Sequence, residues 1–419
     1  MIAKITPFTP NGCITAPPSK SVAHRLIILA ALKNGRTEIY GVGKSDDVIA
    51  TLNCVKNLGA KVEIFDDFVA IEGIKDVLVA SKLPCNESGS TLRFMIPVSC
   101  ALGANATFLG TEKLLSRPNE KLFDLLLAKG IKINGYNFEG KLSAGKYEID
   151  STISSQYITG LLLALPNLEG DSQIVLKGET VSKDYINITL STMDLAQIKY
   201  KKTADSFIVY GNQKSNLPDK ITVEGDGSGA AFPLVLGAIK GEITVKNLSL
   251  NSKQGDRKIL QLLTDIGANV KIKGEQITVK ESKLSAFEID CQDIPDLAPI
   301  ICVLASATNG ECKIKNVERL KFKESDRIQT TLDFLQKAGI TASYKEGNIT
   351  VYGNGAKFKN AIYNGSNDHR VVMCQSVISA IASGESQING CQAINKSYVS
   401  FFEDLKKLGG NIDVQMERG

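Results

Sequence analysis

Eight cations fall at places that read as first- or second-helix starts. Lys20 and Arg25 lie in SKSVAHR, Arg93 in SGSTLR, Arg117 in SRPNE, Lys323 and Arg327 in KESDR, Arg370 in NDHR and Lys396 in NKS. A helix N-terminus carries unsatisfied N–H groups and about half a positive charge, so it favours small polar caps and disfavours cations. One polar start is ordinary capping. Eight misplaced cations point instead to a polyanionic ligand, held by N–H groups and side chains together. Two acids, Asp296 in IPDLAP and Glu324 in KESDR, sit among these cations. Carboxyls so placed are candidates for proton transfer.

The elements that must position these groups recur. A helix-like run ending in a small residue, then a short alternating strand, returns around Gly59, Gly130, Ala196, Gly267, Gly339 and Gly409, a period of about seventy residues. Upstream of each lies a polar stretch that opens an apolar helix: SKSVAHR, SGSTLR, SSQ, GDGSGAAF, IPDLAP and NDHR. Between the two landmarks come a Gly-containing helix stop, an alternating strand and a second polar cap. The coarse reading is α/β, with six βαβαββ repeats. The sixth has too little chain after Gly410 for two strands, while the N-terminal IAKITPF is a strand without a repeat. The simplest organisation is two lobes of three repeats each. Residues 15–221 form the first; residues 1–14 plus 222–419 form the second, completed by the N-terminal strand.

Composition narrows the class. Of 419 residues, 43% are apolar and 22% charged, which excludes a disordered or collagen-like chain and indicates a soluble one. No apolar run approaches the roughly 18 residues of a membrane span, and the start lacks the apolar region of a signal peptide. Nine cysteines without a C-x-x-C pair fit reduced thiols of a cytoplasmic protein. A net charge of +4 is too mild to indicate nucleic acid, and two histidines, His24 and His369, cannot make a histidine-rich metal site. Residues 225–230 (GDGSGA) fit the dinucleotide pattern G-x-G-x-x-A, but they are in phase with five segments that do not. Gly43-Lys44-Ser45 lacks the first glycine of a P-loop, since Glu38 stands there. Lys199, Lys201 and Lys202 read as a solvated face. With no exposed heptad or apolar stripe, the expected state is a monomer.

At PPSKSVAHRLIILAAL the chain resembles the 5-enolpyruvylshikimate-3-phosphate synthase family. SGSTLRF, SRPNEKLFDLL, SSQYITGLLLALP, SKDYINIT, VEGDGSGAAF, IPDLAPIICVLA, RLKFKESDRI, NDHRVVM and NKSYVSFFEDL follow in the family's order. The resemblance implies a two-lobe inside-out α/β barrel with helix N-termini facing an interdomain cleft. It implies transfer of the enolpyruvyl group of phosphoenolpyruvate to the 5-hydroxyl of shikimate 3-phosphate, by addition and elimination of phosphate. These small molecules are the implied partners, and no metal or organic cofactor is needed. By the same resemblance Asp296 is the proton acceptor, Glu324 the proton donor, and Lys20 stands at the junction of both substrates. Shikimate 3-phosphate would meet Ser21, Arg25, Ser154, Ser155, Gln156, Ser182, Tyr185, Asp296 and Lys323 along with Lys20. Phosphoenolpyruvate would meet Lys20, Gly89, Arg117, Gln156, Arg327, Arg370 and Lys396.

Three positions depart from the family pattern. Glu87 stands where a small residue or asparagine is usual, Arg319 where an asparagine is, and Phe94 where a proline often follows the arginine. They bear on fine specificity, including sensitivity to glyphosate. Two other readings share the fold. UDP-N-acetylglucosamine enolpyruvyl transferases use a mobile-loop cysteine, which GTEKLLSRPNE lacks. A non-catalytic phospho-ligand binder would have no use for Asp296, Glu324 and Lys20 together.

Overall fold

A computed structural model describes residues 1–416. The chain forms two compact units: Pro18–Val223, and Met1–Pro17 together with the chain from Glu224 onward. We call these the continuous and the discontinuous unit.

Each unit contains three four-stranded sheets. In the continuous unit the first sheet runs Lys220–Thr222, Arg36–Tyr40, Phe68–Glu72, Lys61–Ile64. The second runs Lys82–Asn86, Thr107–Gly110, Asn137–Glu139, Lys132–Asn134, and the third Lys146–Asp150, Ser172–Lys177, Ser206–Val209, Tyr200–Lys202. In the discontinuous unit the sheets are Asn11–Thr15, Glu242–Lys246, Gln276–Lys280, Asn269–Lys273; then Glu288–Asp290, Asn309–Lys315, Asn348–Asn354, Thr341–Lys345; then Ile362–Asn364, Ser386–Asn389, Ile2–Thr6, Asn411–Gln415. Every sheet has the same grammar. Its first two strands are parallel and the remaining pairs antiparallel. A parallel pair needs a crossover, which a helix supplies; the last pair of five sheets closes as a hairpin.

Two strands lie outside the run of their own repeat. Asn11–Thr15 precedes the helix Lys20–Ala31 but pairs with Glu242–Lys246, and Lys220–Thr222 precedes the helix Gly227–Ile239 but pairs with Glu38–Tyr40 of the first sheet. Ile2–Thr6 lies between Ser386–Asn389 and Asn411–Gln415. The inside-out barrel implied by the resemblance is not closed. Among the described residues the three sheets of a unit share no ladder, because each hairpin returns the chain to coil before the next sheet begins, and four strands are too few to close alone.

The crossover helices form the cores. Gly227–Ile239, Ala298–Ser306 and His369–Ala380 are buried along their whole length and pack against one another; the first two are apolar nearly all round, as fully buried helices usually are, while the third also buries His369, Arg370 and Gln375. In the continuous unit, Ser155–Ala164 packs against both Lys20–Ala31 and Gly89–Leu102. Gly160 permits the second contact: a Cβ there would lie 2.5 Å from the carbonyl oxygen of Arg93. Among the described residues no helix is long and apolar enough to cross a membrane.

Candidate functional site

In the continuous unit the predicted residues gather at the starts of the core helices. Lys20 opens its helix behind the cap Ser19, and its Nζ meets the Asp47 carboxylate at 2.7 Å. Asp47 sits in the first turn of Asp46–Asn57, where a carboxylate is favourable. The dipole penalty on Lys20 is thus offset by an acid on the neighbouring helix. Arg25 lies a turn deeper and is buried. Its Nε donates to Thr189 Oγ1 at 2.8 Å, and Nη2 donates to the Tyr185 carbonyl at 2.9 Å and to Thr159 Oγ1 at 3.4 Å. Nη1 donates to the Ser21 carbonyl, and the guanidinium stacks over Phe94 at 5.0 Å. Burial pulls its pKa down to about 9, which leaves it charged at neutral pH.

Arg93 is held as tightly. Its Nε donates to Asn119 Oδ1 at 2.9 Å, Nη2 to the Pro118 carbonyl at 2.8 Å and Nη1 to Gln156 Oε1 at 2.7 Å. Gln156 Nε2 donates in turn to Ser90 Oγ at 3.0 Å. Since Asn119 Nδ2 also donates to the Arg117 carbonyl at 3.0 Å, Arg93 organises the Arg117 loop and orients Gln156. Gly89 opens its helix directly against Arg117: an added Cβ would stand 2.7 Å from Nη1 and 3.2 Å from Cζ. Ser154 caps the helix Ser155–Ala164 through the Gln156 N–H at 3.2 Å. Ser182 precedes Lys183–Leu195 in a left-handed conformation, with φ of 53°. Ser154, Ser155 and Ser182 are buried and Tyr185 is partly so.

The discontinuous unit carries a second cluster, centred on Arg327. Its Nη1 donates to Asp296 at 2.8 Å, Nη2 to Glu324 at 2.7 Å, and Nε and Nη2 to the two oxygens of Asp368 at 2.8 and 3.1 Å. Four of its five N–H donors are therefore engaged by three carboxylates. Asp296 also takes Lys323 at 3.1 Å and Arg370 at 3.5 Å. Burial works against the charge on Arg327, but Asp368, Glu324 and Asp296 hold it well above the ordinary arginine value. Burial lowers the pKa of Lys323, with Asp296 opposing. Asp368 caps His369–Ala380 through the Arg370 N–H at 2.9 Å. Lys396 Nζ donates to the Asn367 carbonyl at 2.6 Å.

Several placements differ from the sequence expectation. Lys396 closes a 3-10 turn, Cys391–Lys396, and the next helix begins only at Phe401. Lys323 follows another 3-10 turn, Glu318–Phe322. Arg117 lies in the loop between the short helix Glu112–Leu115 and Glu120–Ala128, and Arg93 and Arg25 lie inside their helices. Short 3-10 pieces have no periodic apolar signal, which is why Lys323 and Lys396 resembled helix starts. Sequence reasoning gave no site role to Asp47, Asn119 and Asp368, although a polar residue at the start of each helix was a visible signal. It also passed over Asp256, a buried acid whose pKa burial and then Asp296 push up to about 7. The dinucleotide-like GDGSGA is a capped helix start, with Asp226 Oδ1 accepting from the Ser228 N–H at 2.9 Å. Among the described residues no group of His, Cys, Asp and Glu is arranged to hold a metal.

Residues 6–405 match the sequence profile of the EPSP synthase (3-phosphoshikimate 1-carboxyvinyltransferase) family. A 3-phosphoshikimate 1-carboxyvinyltransferase of Clostridium novyi is 36% identical, over 98% of each chain. That of Clostridioides difficile is 35% identical, again over 98% of each. The fold is similar to that of the EPSP synthase of Acinetobacter baumannii, with a TM-score of 0.83 at 24% identity over 99% of this chain and 100% of that one. It is also similar to the enolpyruvyl transferase NikO of Streptomyces tendae, with a TM-score of 0.79 at 13% identity over 98% of each chain.

Proposed function

The chain belongs to the EPSP synthase (3-phosphoshikimate 1-carboxyvinyltransferase) family, and from that premise we propose how its residues carry the reaction. The enzyme transfers the enolpyruvyl group of phosphoenolpyruvate to the 5-hydroxyl of shikimate 3-phosphate and releases phosphate. It serves the shikimate pathway, toward aromatic amino acids. In the addition step a proton joins the methylene carbon of phosphoenolpyruvate while the 5-oxygen bonds to C2. In the elimination step that methyl group loses a proton, the C2–O bond to phosphate breaks and the double bond returns.

Glu324 delivers the first proton and Asp296 accepts the hydroxyl proton. The observation that carries this assignment is that both carboxylates lie on one guanidinium, Arg327, at 2.7 and 2.8 Å. A shared, buried cation holds two acid–base groups at a fixed separation and so supplies orientation before substrate arrives. Lys20 stabilises charge where the two substrates meet. Ser21, Arg25, Ser154, Ser155, Gln156, Ser182, Tyr185, Asp296 and Lys323 hold shikimate 3-phosphate. Gly89, Arg117, Gln156, Arg370 and Lys396 hold phosphoenolpyruvate, together with the remaining Nη1 hydrogen of Arg327. Planar guanidinium forks suit its carboxylate and phosphate. The reaction runs in the cytoplasm, on a monomer, without metal, organic cofactor, nucleic acid or membrane.

Phosphate release tests the reading. It is expected only when both substrates are present. Release from phosphoenolpyruvate alone, or none with both, would count against it.

A further inference from the structure

Outside the groups assigned above, one buried side chain of the continuous unit is linked to both Lys20's partner and the Gly89 helix. His24 is 1% exposed. Its Nδ1 lies 2.7 Å from Thr51 Oγ1, which lies 2.7 Å from Thr91 Oγ1, which lies 2.7 Å from Ser88 Oγ. The line crosses three helices, Lys20–Ala31, Asp46–Asn57 and Gly89–Leu102, and ends on the cap of the third. The Asp47 carbonyl is a longer, second acceptor for both threonines, at 3.4 and 3.3 Å. The Asp47 carboxylate is the one that holds Lys20.

The line has a direction, because each hydroxyl has one hydrogen to give. Ser88 Oγ already accepts from the Thr91 N–H at 3.2 Å. If Thr91 donates to Ser88 and Thr51 donates to Thr91, the head of the line must be an N–H on Nδ1 of His24. The reverse direction would move that hydrogen to Nε2, which is buried, has no hydrogen-bond partner among the described residues and belongs to a ring set edge-on to Phe94. An orphaned N–H near the cations Lys20 and Arg25 is costly, whereas a bare lone pair near them is favourable. The imidazole is also neutral: burial, then Lys20 and Arg25, hold its pKa well below the ordinary histidine value.

We infer that His24 is a positioning residue for the transfer: a neutral, Nδ1-protonated imidazole that, through Thr51 and Thr91, sets the Ser88 cap and the Asp47 main chain, and so the placement of Gly89 and Lys20 toward phosphoenolpyruvate. The inference rests on the roles proposed above for Gly89 and Lys20. It carries a prediction of substrate bias. Gly89 serves phosphoenolpyruvate alone, whereas Ser154, Ser155 and Ser182 lie off the line, so phosphoenolpyruvate depends on it more than shikimate 3-phosphate does.

The chain has two histidines, so nitrogen NMR of protein labelled with 15N-histidine reads the tautomer directly, with His24→Asn removing the His24 signals. The expected state is Nδ1–H with Nε2 unprotonated across neutral pH. An Nε2–H tautomer or an imidazolium would overturn the direction of the line. Kinetics test the positioning. Loss of one buried hydrogen bond in His24→Leu, His24→Gln or Thr51→Val should raise KM for phosphoenolpyruvate about tenfold, and by clearly more than it raises KM for shikimate 3-phosphate. In His24→Asn the amide nitrogen stands where Nδ1 stood, and KM should return to within about twofold of the parent. Thr51→Val keeps the shape of the core, so it serves if His24→Leu does not fold. If these variants leave KM for phosphoenolpyruvate unchanged while Gly89→Ala raises it, the positioning role falls and the site reading stands. If Gly89→Ala also has no effect, the site reading itself has failed.

Discussion

Asp368 grips Arg327 with both carboxylate oxygens, Oδ2 on Nε at 2.8 Å and Oδ1 on Nη2 at 3.1 Å, and both side chains are almost fully buried. Fork-to-carboxylate geometry of this kind fixes the plane of the guanidinium. The outer nitrogens are then turned toward Asp296 and Glu324. Cutting one half of a buried pair leaves an unpaired charge, so Asp368→Ala should cost about 3–5 kcal/mol of unfolding free energy. Thermal and urea unfolding would measure it. An effect confined to turnover would make Asp368 a purely functional group.

The same pair predicts an acid limit. Burial raises the pKa of Asp368, Arg327 lowers it, and the net shift is downward. A carboxyl whose folded pKa lies below its unfolded value contributes stability that is complete above the unfolded value, about 3.9, and disappears as pH falls through the folded one. The melting temperature should therefore drop steeply below pH of about 4. In Asp368→Asn that part of the drop should be absent, leaving a flatter acid limb.

Glu324→Gln and Asp296→Asn should each lower turnover by about 10²–10⁴, the usual weight of a general acid or base. Both residues also balance cations, Asp296 against Lys323, Arg327 and Arg370. Melting curves must accompany the kinetics. A fall in stability with near-normal turnover would leave Asp296 as a charge partner only.

Gly89→Ala separates packing from binding. Gly89 opens its helix at a φ that is not positive, so alanine fits the backbone there and stability should hold or rise slightly. The new Cβ would meet Arg117 Nη1 at 2.7 Å and push the guanidinium aside. KM for phosphoenolpyruvate should rise, with KM for shikimate 3-phosphate little changed. Equal effects on both substrates would remove Gly89 from the phosphoenolpyruvate pocket.

Thiol reagents should find one target. Cys13 is exposed and the other eight cysteines are buried. Burial pushes the Cys100 thiol up to about 12 and holds those of Cys54, Cys302 and Cys374 well above the ordinary cysteine value. The thiolate is the reactive form. Native protein should take up one equivalent at Cys13 and keep its activity; inactivation at that stoichiometry would argue for a cysteine in the chemistry.

Features with a local signature were legible in the chain. The repeat announces itself because each unit ends a helix on a small residue and turns into a strand, and Ser88, Ser154, Asp226 and Asp368 are capping types standing where helices begin. Contacts between distant segments were not legible. Nothing in KESDR says that Arg327 will meet an aspartate from NDHR, and nothing in the spacing of His24, Thr51 and Thr91 says that their side chains will line up across three helices. The 3-10 turns before Lys323 and after Gly390 were missed for a related reason: they are too short to show a period. Sheet closure is not written locally either, since it depends on which strands leave their edges free.

The place of Ile2–Thr6 has a consequence for how the molecule comes into being. This strand is made before every other described strand, yet it is seated between Ser386–Asn389 and Asn411–Gln415, far along the chain. On a chain emerging from its N-terminus, the continuous unit has every strand it needs once Thr222 has appeared. The other unit must wait with its opening strands unpaired, and pairings so distant in sequence form slowly. Biogenesis should therefore run in two acts: one unit maturing during synthesis, the other sealed only when Ser386–Asn389 and Asn411–Gln415 reach back to Ile2–Thr6.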